Sequence, residues 1–435
     1  MTTSGLLIKK YRINKDITQA TLAKGICSVS YLSKIESKNI AAHEEITNSL
    51  LLRLGLQVKR LTVEAENEYI RSLEKLYKKA VLYKAKNLKE TDLEELSPSK
   101  IDFNNYSNYL LAQLYFFRIS LTAKRKLEDL SIYLTEYKYL AKDLSLKQRY
   151  LYDVNQGLYH YYNNSIFDAI SCLERSCLIF ELIPLEEWEK ADLYHILSIF
   201  HSRNENNSEA FYFSSKASSF YITNNIIEKN VDSHIIMGNS KQNLLDYESA
   251  VNYFSTAQKL AISNNLTQYA GMIYHNLGSL FAKQGNHDQA IEHYLKSLNL
   301  KETNKQYEKS LPTILSLVQE FMKEKNYTDA RHWSQKGLAL LKMFPKTKPD
   351  TAPDSYWFHF EVFLNFLEEG KSLKKSLIKA IKHFETKNDY RYAYKYSIYL
   401  GEFLYSSNQY KAASEAFKKA HDLLLMEKSI KLEEM

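Results

Sequence analysis

Helix breakers are scarce in this chain, with 11 Gly and 6 Pro in 435 residues. So few over such a length argue against a loop-rich or strand-rich fold and for an almost entirely helical one. Cysteine is scarce too. Cys27, Cys172 and Cys177 are an odd, scattered set that builds no disulfide framework, and each reads as packing. The opening MTTSGLLIKKYR has no apolar core of a secretion signal. No run of about 18 apolar residues occurs either, and the nearest, LLLRLGL at 50–56, is short and charged. These absences predict a reduced, cytoplasmic protein without a membrane span. The net charge of +7 is too small for a general polyanion binder. No phosphate-binding glycine loop, GxSxG elbow, dinucleotide fingerprint or metal-ligand spacing appears. No catalytic residue, metal or cofactor is therefore assigned, and the chain reads as a non-enzyme.

What is present is unevenly placed. Residues 1–65 hold ten Lys/Arg against five Asp/Glu, which puts +5 of the +7 in the first seventh of the chain. Local positive charge is what phosphate contacts require. The 34 Tyr and 20 Phe suit many small helix–helix contacts.

The N-terminal segment has the punctuation of short helices. Leu6, Leu7, Ile8 and Tyr11 recur at helical spacing, and Asn14-Lys15-Asp16 is a turn. Thr18 is placed to cap a second helix, with Leu22 and Ala23 facing inward. Gly25-Ile26-Cys27 forms the next turn. Ser28 starts a third helix whose Val29, Leu32 and Ile35 face the core, leaving Ser30, Tyr31, Ser33 and Lys34 outward. A fourth helix is predicted from about Glu44 to Leu54, with Ile46, Leu50 and Leu54 on one face. This is a helix-turn-helix, whose second helix presents its N-terminal residues to base edges in the major groove. The pattern Thr18-Gln19, Leu22-Ala23, Ser33, Ile35-Glu36 resembles the Cro/repressor-type (XRE) family. By that resemblance Gln19 contacts the DNA backbone or a base, and Arg12 pairs structurally with Glu36. The candidate DNA-binding set is Gln19, Ser28, Ser30, Tyr31, Ser33, Lys34 and Lys38.

Beyond residue 65 one phrase keeps returning: YESAVNYFSTAQ, HDQAIEHYLKSL, YTDARHWSQKGL, YKAASEAFKKAH. Its alanine stands at Ala169, Ala210, Ala250, Ala290, Ala330 and Ala413, at intervals of 41, 40, 40, 40 and 83, the last being two periods with a degenerate copy at 372–385. Twelve residues before each alanine stand Gly157, Ser198, Gly238, Gly278, Val318 and Gly401. A helix-interior Gly costs about 1 kcal/mol relative to Ala, so close packing must offset it. Seven residues after each alanine the residue is small: Ser176, Ala217, Ala257, Ser297, Gly337, Ala420. A large residue intervenes at Leu173, Phe254, Tyr294 and Phe417, with Trp333 one place early. Each unit is thus two helices. The first carries Gly; the second carries a small-large-small stripe whose aromatic is expected to fill the groove to the next unit. HNLGSLFAKQGNHDQAIEHYLKSL (275–298) resembles the tetratricopeptide pattern, with its usual period of about 34 residues lengthened by roughly six. Weaker copies are expected at 127–140 and 66–96, and the Pro-rich FPKTKPDTAPD (344–354) is expected to break the array.

The predicted fold class is therefore all-α: a helix-turn-helix domain at 1–65 followed by a tetratricopeptide-like α-solenoid at 66–435. First helices line the concave face of such an array. Counting from each Gly position, the inward residues are Asn155 and Tyr161; His195 and Arg203; Asn239, Gln242 and Asn243; His275, Asn276 and Lys283; Gln319 and Lys323. Side-chain amides both donate and accept, so they suit a peptide backbone of any sequence. A cation such as Arg203, Lys283 or Lys323 suits a carboxylate. The candidate peptide-binding set is Asn155, His195, Arg203, Asn239, Gln242, Asn243, His275, Asn276, Lys283 and Gln319.

The tight Ile26-Cys27 turn followed by Leu32-Ser33-Lys34-Ile35-Glu36, together with the lengthened repeat period, resembles the peptide-pheromone quorum-sensing regulators of Gram-positive bacteria, the RRNPP group of PlcR and NprR type. That resemblance implies a cytoplasmic transcriptional regulator with three partners: double-stranded operator DNA, a short signalling peptide, and further copies of itself as a homodimer or higher oligomer. Two alternatives stay open. One is a Rap-like phosphatase or sequestering protein acting on a response regulator, for which Gln113 lies in the implied region. The other is a tetratricopeptide adaptor for a partner protein.

Overall fold

A computed structural model describes residues 4–37, 40, 43–55, 59–83, 95–123, 144–163, 165–344, 352–368 and 372–428. The weak copy expected at 127–140, the second half of the helix pair expected at 66–96, and most of the Pro-rich stretch lie outside them. Among the described residues there are twenty α-helices and one parallel pairing of two-residue strands, β1 (Lys59–Arg60) with β2 (Ile101–Asp102). The all-α expectation is borne out. The described residues divide into two compact units, 1–236 and 237–435, with the border inside a helix.

In the first unit, α1 (Ser4–Asn14), α2 (Gln19–Ala23), α3 (Val29–Glu36) and α4 (Glu44–Arg53) form the head. After it come α5 (Val63–Tyr83), α6 (Tyr106–Thr122), α7 (Leu146–Tyr162), α8 (Ile166–Phe180), α9 (Glu187–Arg203) and α10 (Asn207–Thr223). Buried side chains from Ile8 to Ile226 make up one apolar cluster. Glu66, fully buried on α5, accepts from the Asn104 and Asn105 backbone N–H groups at 2.6 and 3.3 Å and from Asn108 Nδ2 at 2.8 Å. That satisfied carboxylate fixes the start of α6 against α5.

Across the border runs α11 (Ile227–Asn243), and the second unit continues with α12 (Tyr247–Ser263), α13 (Thr267–Lys283), α14 (His287–Thr303), α15 (Tyr307–Lys323) and α16 (Tyr327–Lys342). It closes with α17 (Ala352–Leu367), α18 (Leu373–Thr386), α19 (Tyr390–Ser406) and α20 (Tyr410–Lys428). α16 ends at Lys342 and α17 begins at Ala352, in line with the expected break, and Pro353 stands second in α17, where a missing N–H costs nothing.

From α9 to α16 the helices begin at a constant step, at positions 187, 207, 227, 247, 267, 287, 307 and 327, and the turns repeat one geometry. The residue after each helix cap is left-handed: Glu205, Asn225, Leu245, Asn265, Gly285, Lys305 and Lys325, then Asn388 and Asn408. The next N–H reaches back to the last turn, as in Asp246 N–H to Lys241 O (2.9 Å) and Asn326 N–H to Phe321 O (2.9 Å). This is the Schellman arrangement, which satisfies carbonyls that the helix end would leave open. Only one of these positions is Gly, so the chain accepts backbone strain at several turns to hold the spacing.

The repeat's small-large rule holds with one correction. A Cβ on Gly238 would meet Phe254 Cε1 at 2.5 Å, and one on Gly278 would meet Tyr294 Cδ1 at 2.7 Å. Gly157 faces Leu173 and Gly401 faces Phe417 in the same way. The large residue of the second helix therefore lies on the Gly of its own unit, not in the groove to the next. A ring needs a flat seat, and the missing Cβ supplies it.

Candidate functional site

The head is built from its caps inward. Thr18 Oγ1 accepts the Thr21 N–H at 3.1 Å and Ser28 Oγ accepts the Tyr31 N–H at 3.1 Å, which starts α2 and α3 where the sequence places them. Gly25 adopts the left-handed conformation (φ 75°) that the tight turn requires. Leu22, Ala23, Leu32, Ile35, Leu50 and Leu54 are buried between the helices. Val29, expected inside, is 46% exposed, because the first residue of α3 precedes the turn that touches the core. Ser30, Ser33 and Lys34 are exposed and Tyr31 is half-buried, so one face of α3 is an open polar surface. Lys38 lies outside the described residues.

One buried carboxylate organises this unit. Glu36 is 3% exposed and accepts Arg12 Nε at 2.6 Å, Arg12 Nη2 at 2.8 Å and Gln19 Nε2 at 2.7 Å. Arg12 Nη1 also donates to Ile17 O at 2.9 Å, and the hydrogen bond to Glu36 raises the Arg12 pKa. Gln19, expected to touch DNA, thus has its amide N–H held by Glu36. The positive charge of the head is also partly committed inward. Lys15 donates to Leu54 O at 2.8 Å, and Arg53 donates to Leu22 O at 3.0 Å and to Lys24 O, pinning the end of α2 to α4. Lys9, Lys24 and Lys34 are the described head lysines besides Lys15 that stand exposed. Burial pushes the Cys27 thiol up, so it is a packing residue and not a thiolate.

In the first unit the predicted peptide-facing residues separate. Asn155 is 1% exposed and its amide donates to Leu114 O at 3.0 Å. His195 is 3% exposed and meets the Tyr221 ring edge-on. Both are absorbed by packing between helices, which corrects their assignment to an open face. Arg203 is exposed and sits 5.2 Å over the Tyr161 ring, which stacks on Phe200 at 4.4 Å. Gln113 is 1% exposed, with neither amide atom hydrogen-bonded. A side chain so enclosed presents nothing to a docked phosphoprotein.

In the second unit the first helices bring several predicted residues together. Lys283 donates to Asn243 Oδ1, and Gln242 Nε2 donates to Ser279 Oγ at 3.0 Å, each pair linking neighbouring first helices α11 and α13. Gln242 is 4% exposed, so it serves this link and not an open surface. Asn239, Asn276 and Gln319 are half-exposed, and Asn239, Ser279 and Gln319 occupy equivalent places in successive units. Asn243, Lys283 and Lys323 form a second such row, all exposed or half-exposed. Lys323 is neutralised by Glu320 at 2.7 Å, and Glu320 also meets His287 Nδ1 at 2.6 Å. His275 is half-buried, bonded through Nδ1 to Thr313 Oγ1 at 3.1 Å; burial, aided by the charge of Lys301, pushes its pKa down to about 3. Thr313, Ser279 and Lys301 were missed by spacing from the Gly positions. Lys301 was nevertheless visible in the repeat: it stands in a column that otherwise reads Phe180, Tyr221, Ala261, Leu341 and Leu424, none of them charged.

Among the described residues no group of three His, Cys, Asp or Glu is arranged to hold a metal ion, and no helix is long and apolar enough to cross a membrane.

Comparisons with known proteins follow this architecture. Residues 233–303 match the tetratricopeptide repeat family. The transcriptional activator NprA of Geobacillus stearothermophilus is 28% identical over 409 residues, which cover 93% of this chain and 98% of NprA. Among solved structures, the apo form of the quorum sensor NprR from B. thuringiensis superposes with a TM-score of 0.66 at 20% identity, over 83% of this chain and 99% of that one. NprR in complex with its cognate peptide NprX gives 0.60 at 19% identity, over 82% and 99%. A Rap protein complexed with Competence and Sporulation Factor gives 0.64 at 16% identity, over 85% and 99%. The resemblance to the peptide-pheromone regulators is borne out by these relatives, as is the tetratricopeptide-like fold.

Proposed function

We propose that this chain is a transcriptional regulator controlled by a short signalling peptide. Residues 1–65 bind double-stranded operator DNA, and residues 66–435 sense the peptide. The observation that carries the first half is the head itself. Its α3 is capped, held from behind by the Glu36 hub and open on the face of Ser30, Tyr31, Ser33 and Lys34. A rigid helix with an open polar face is what direct readout in a major groove needs. Ser28 caps that helix and so positions it; Lys9, Lys24 and Lys34 supply phosphate contacts. Relationship over nearly the whole chain to a transcriptional activator supports the same reading.

The second half rests on the row of half-exposed amides and exposed polar groups on the first helices of the second unit: Asn239, Asn276 and Gln319 with Asn243 and Lys283. Amides bind a peptide backbone, and a cation takes its charged groups. Control follows from differential affinity. A peptide that binds one arrangement of the helices more tightly shifts the protein towards it, and so alters how two heads of a homo-oligomer meet two operator half-sites. The enclosed Gln113 weighs against a phosphatase role.

The test is a fluorescence-anisotropy titration of the protein on DNA flanking its own gene, with and without peptides from adjacent small reading frames, with oligomeric state followed in the same samples. Binding that changes with peptide, and loses that dependence in Asn239→Ala or Asn276→Ala, is the expected result. DNA affinity and oligomeric state both indifferent to saturating peptide would sink the mechanism.

A further inference from the structure

Among the described residues, Lys301 is a buried cation without a counter-ion. It stands in the last turn of α14, 5% exposed, and its stem crosses α13 at Gly271, where a Cβ would lie 2.8 Å from Lys301 Cγ. Its ammonium donates to Thr313 Oγ1 on α15 at 2.6 Å. No described carboxylate pairs with it; burial holds its pKa down to about 8, and the charge of Lys309 adds to the effect. An ammonium taken out of water without a carboxylate is strongly disfavoured, and such groups are normally paired. A column that elsewhere holds Phe180, Tyr221, Ala261, Leu341 and Leu424 gives no packing reason for lysine.

The hydrogen bonds around it have a direction. Lysine only donates, so Thr313 Oγ1 accepts from it and keeps its own proton to give. Ser297 Oγ, 3.4 Å from Thr313 Oγ1, already spends its proton on Gly271 O at 2.6 Å. The nearer acceptor for the Thr313 proton is His275 Nδ1 at 3.1 Å. A neutral His275 that accepts at Nδ1 carries its proton on Nε2, so the imidazole becomes a donor. Lys301, Thr313 and His275 thus form a chain of three donors from three helices, each polarised by the one behind it. It starts at a hidden positive charge and ends at a half-buried ring on a first helix.

We infer that this chain is a carboxylate-recognition subsite, in which His275 Nε2–H donates to a carboxylate of the bound peptide and Lys301 supplies the compensating charge from behind. The inference rests on the peptide-sensing reading above and names the chemistry of the ligand. Lys301 is here a positioning and charge-supplying residue that never touches the ligand. The carboxylate is either the C-terminus of the peptide or an acidic side chain, and the two are separated by experiment.

The probes are three pools of heptapeptides of randomised sequence: free C-terminus without Asp or Glu, amidated C-terminus with Asp and Glu, and amidated without either. Full-length protein is incubated with each, separated by gel filtration, and the retained peptide is quantified by mass spectrometry. One charge-assisted hydrogen bond predicts that a carboxylate-bearing pool is retained roughly tenfold or more over the carboxylate-free pool. Whichever of the first two pools shows the preference identifies the source. Lys301→Met keeps the length of the side chain and removes the charge; it is expected to retain peptide while losing the preference. Thr313→Val interrupts the chain without touching the charge and is expected to do the same, with thermal melting confirming that each variant is folded. Equal retention of all pools by the wild-type protein overturns this inference and leaves peptide sensing intact. So does a preference that survives in both folded variants. Retention of no pool at all overturns the peptide-sensing reading and this one with it.

Discussion

Glu36→Gln tests whether the head is held by its buried carboxylate or by its apolar core alone. The substitution keeps the shape and removes the charge. Glu36 accepts three hydrogen bonds from two side chains. A glutamine in its place would offer one oxygen to three donors, with its own N–H₂ turned against Arg12 or Gln19. Arg12, 14% exposed, would keep the bond to Ile17 O and lose its counter-ion. Breaking a buried pair from one side costs about 3–5 kcal/mol, and partial exposure of Arg12 puts this one near ~3 kcal/mol. At tenfold per 1.4 kcal/mol, the opened population of the head rises roughly a hundredfold. Hydrogen exchange read by mass spectrometry resolves this locally. Amides of α1–α3 should lose protection by about that factor, while those of α13–α16 stay unchanged. The pair Arg12→Met/Glu36→Met should recover much of the loss, since removing both partners leaves no stranded charge. Unchanged protection across α1–α3 in Glu36→Gln would refute the reasoning, and so would a double variant as labile as the sum of its singles.

Three further outcomes follow from the array. Gly278→Ala gains helix propensity but places a Cβ 2.7 Å from a Tyr294 ring that is 4% exposed, so urea denaturation should show a net loss of about 1–3 kcal/mol. Leu245→Gly relieves a left-handed residue (φ 63°) whose side chain is 70% exposed; a stabilisation of about 0.5–1 kcal/mol is expected from the same denaturation curve. Lys301 releases its proton near pH 8 in the fold but near 10.5 when unfolded, so the unfolded chain binds more protons between those values and stability rises with pH across that window. Urea midpoints at pH 7.5 and pH 9.5 should therefore converge between wild type and Lys301→Met as pH rises, and parallel curves would remove the buried-cation argument.

Local signals were legible in the sequence because their causes are local. Thr18 and Ser28 cap the helices they precede, Gly25 supplies the turn, and the match of Gly to a large side chain repeats with the period of the array. The Arg12–Glu36 pair was reached through family resemblance, across a long separation in the chain. What stayed hidden depends on how neighbouring helices cross. Asn155 and His195 are polar, yet their helical neighbours Leu151, Leu158, Asp192 and Ser198 are buried with them between packed helices. Val29 obeys helical periodicity yet lies before the first buried turn. Gln19 reads as a surface amide until Glu36 is seen behind it. Leu245, Lys305 and Lys325 carry no sequence mark of a left-handed turn.

The regular turns have a consequence for how such a chain can change length. Helices from α9 to α16 start at one constant step, with first and second helices alternating. Loss or duplication of a single step, one helix and its turn, would exchange the two kinds: Gly seats would face Gly, and rings would face rings. A double step restores every seat to its ring, whereas the left-handed turns recur at each single step and fit either change. Genetic insertions and deletions are thereby filtered by parity. The array can grow or shrink by whole pairs of helices while its packing code remains readable, and that leaves half-exposed residues such as Asn239 and Gln319 to diverge within an unchanging frame.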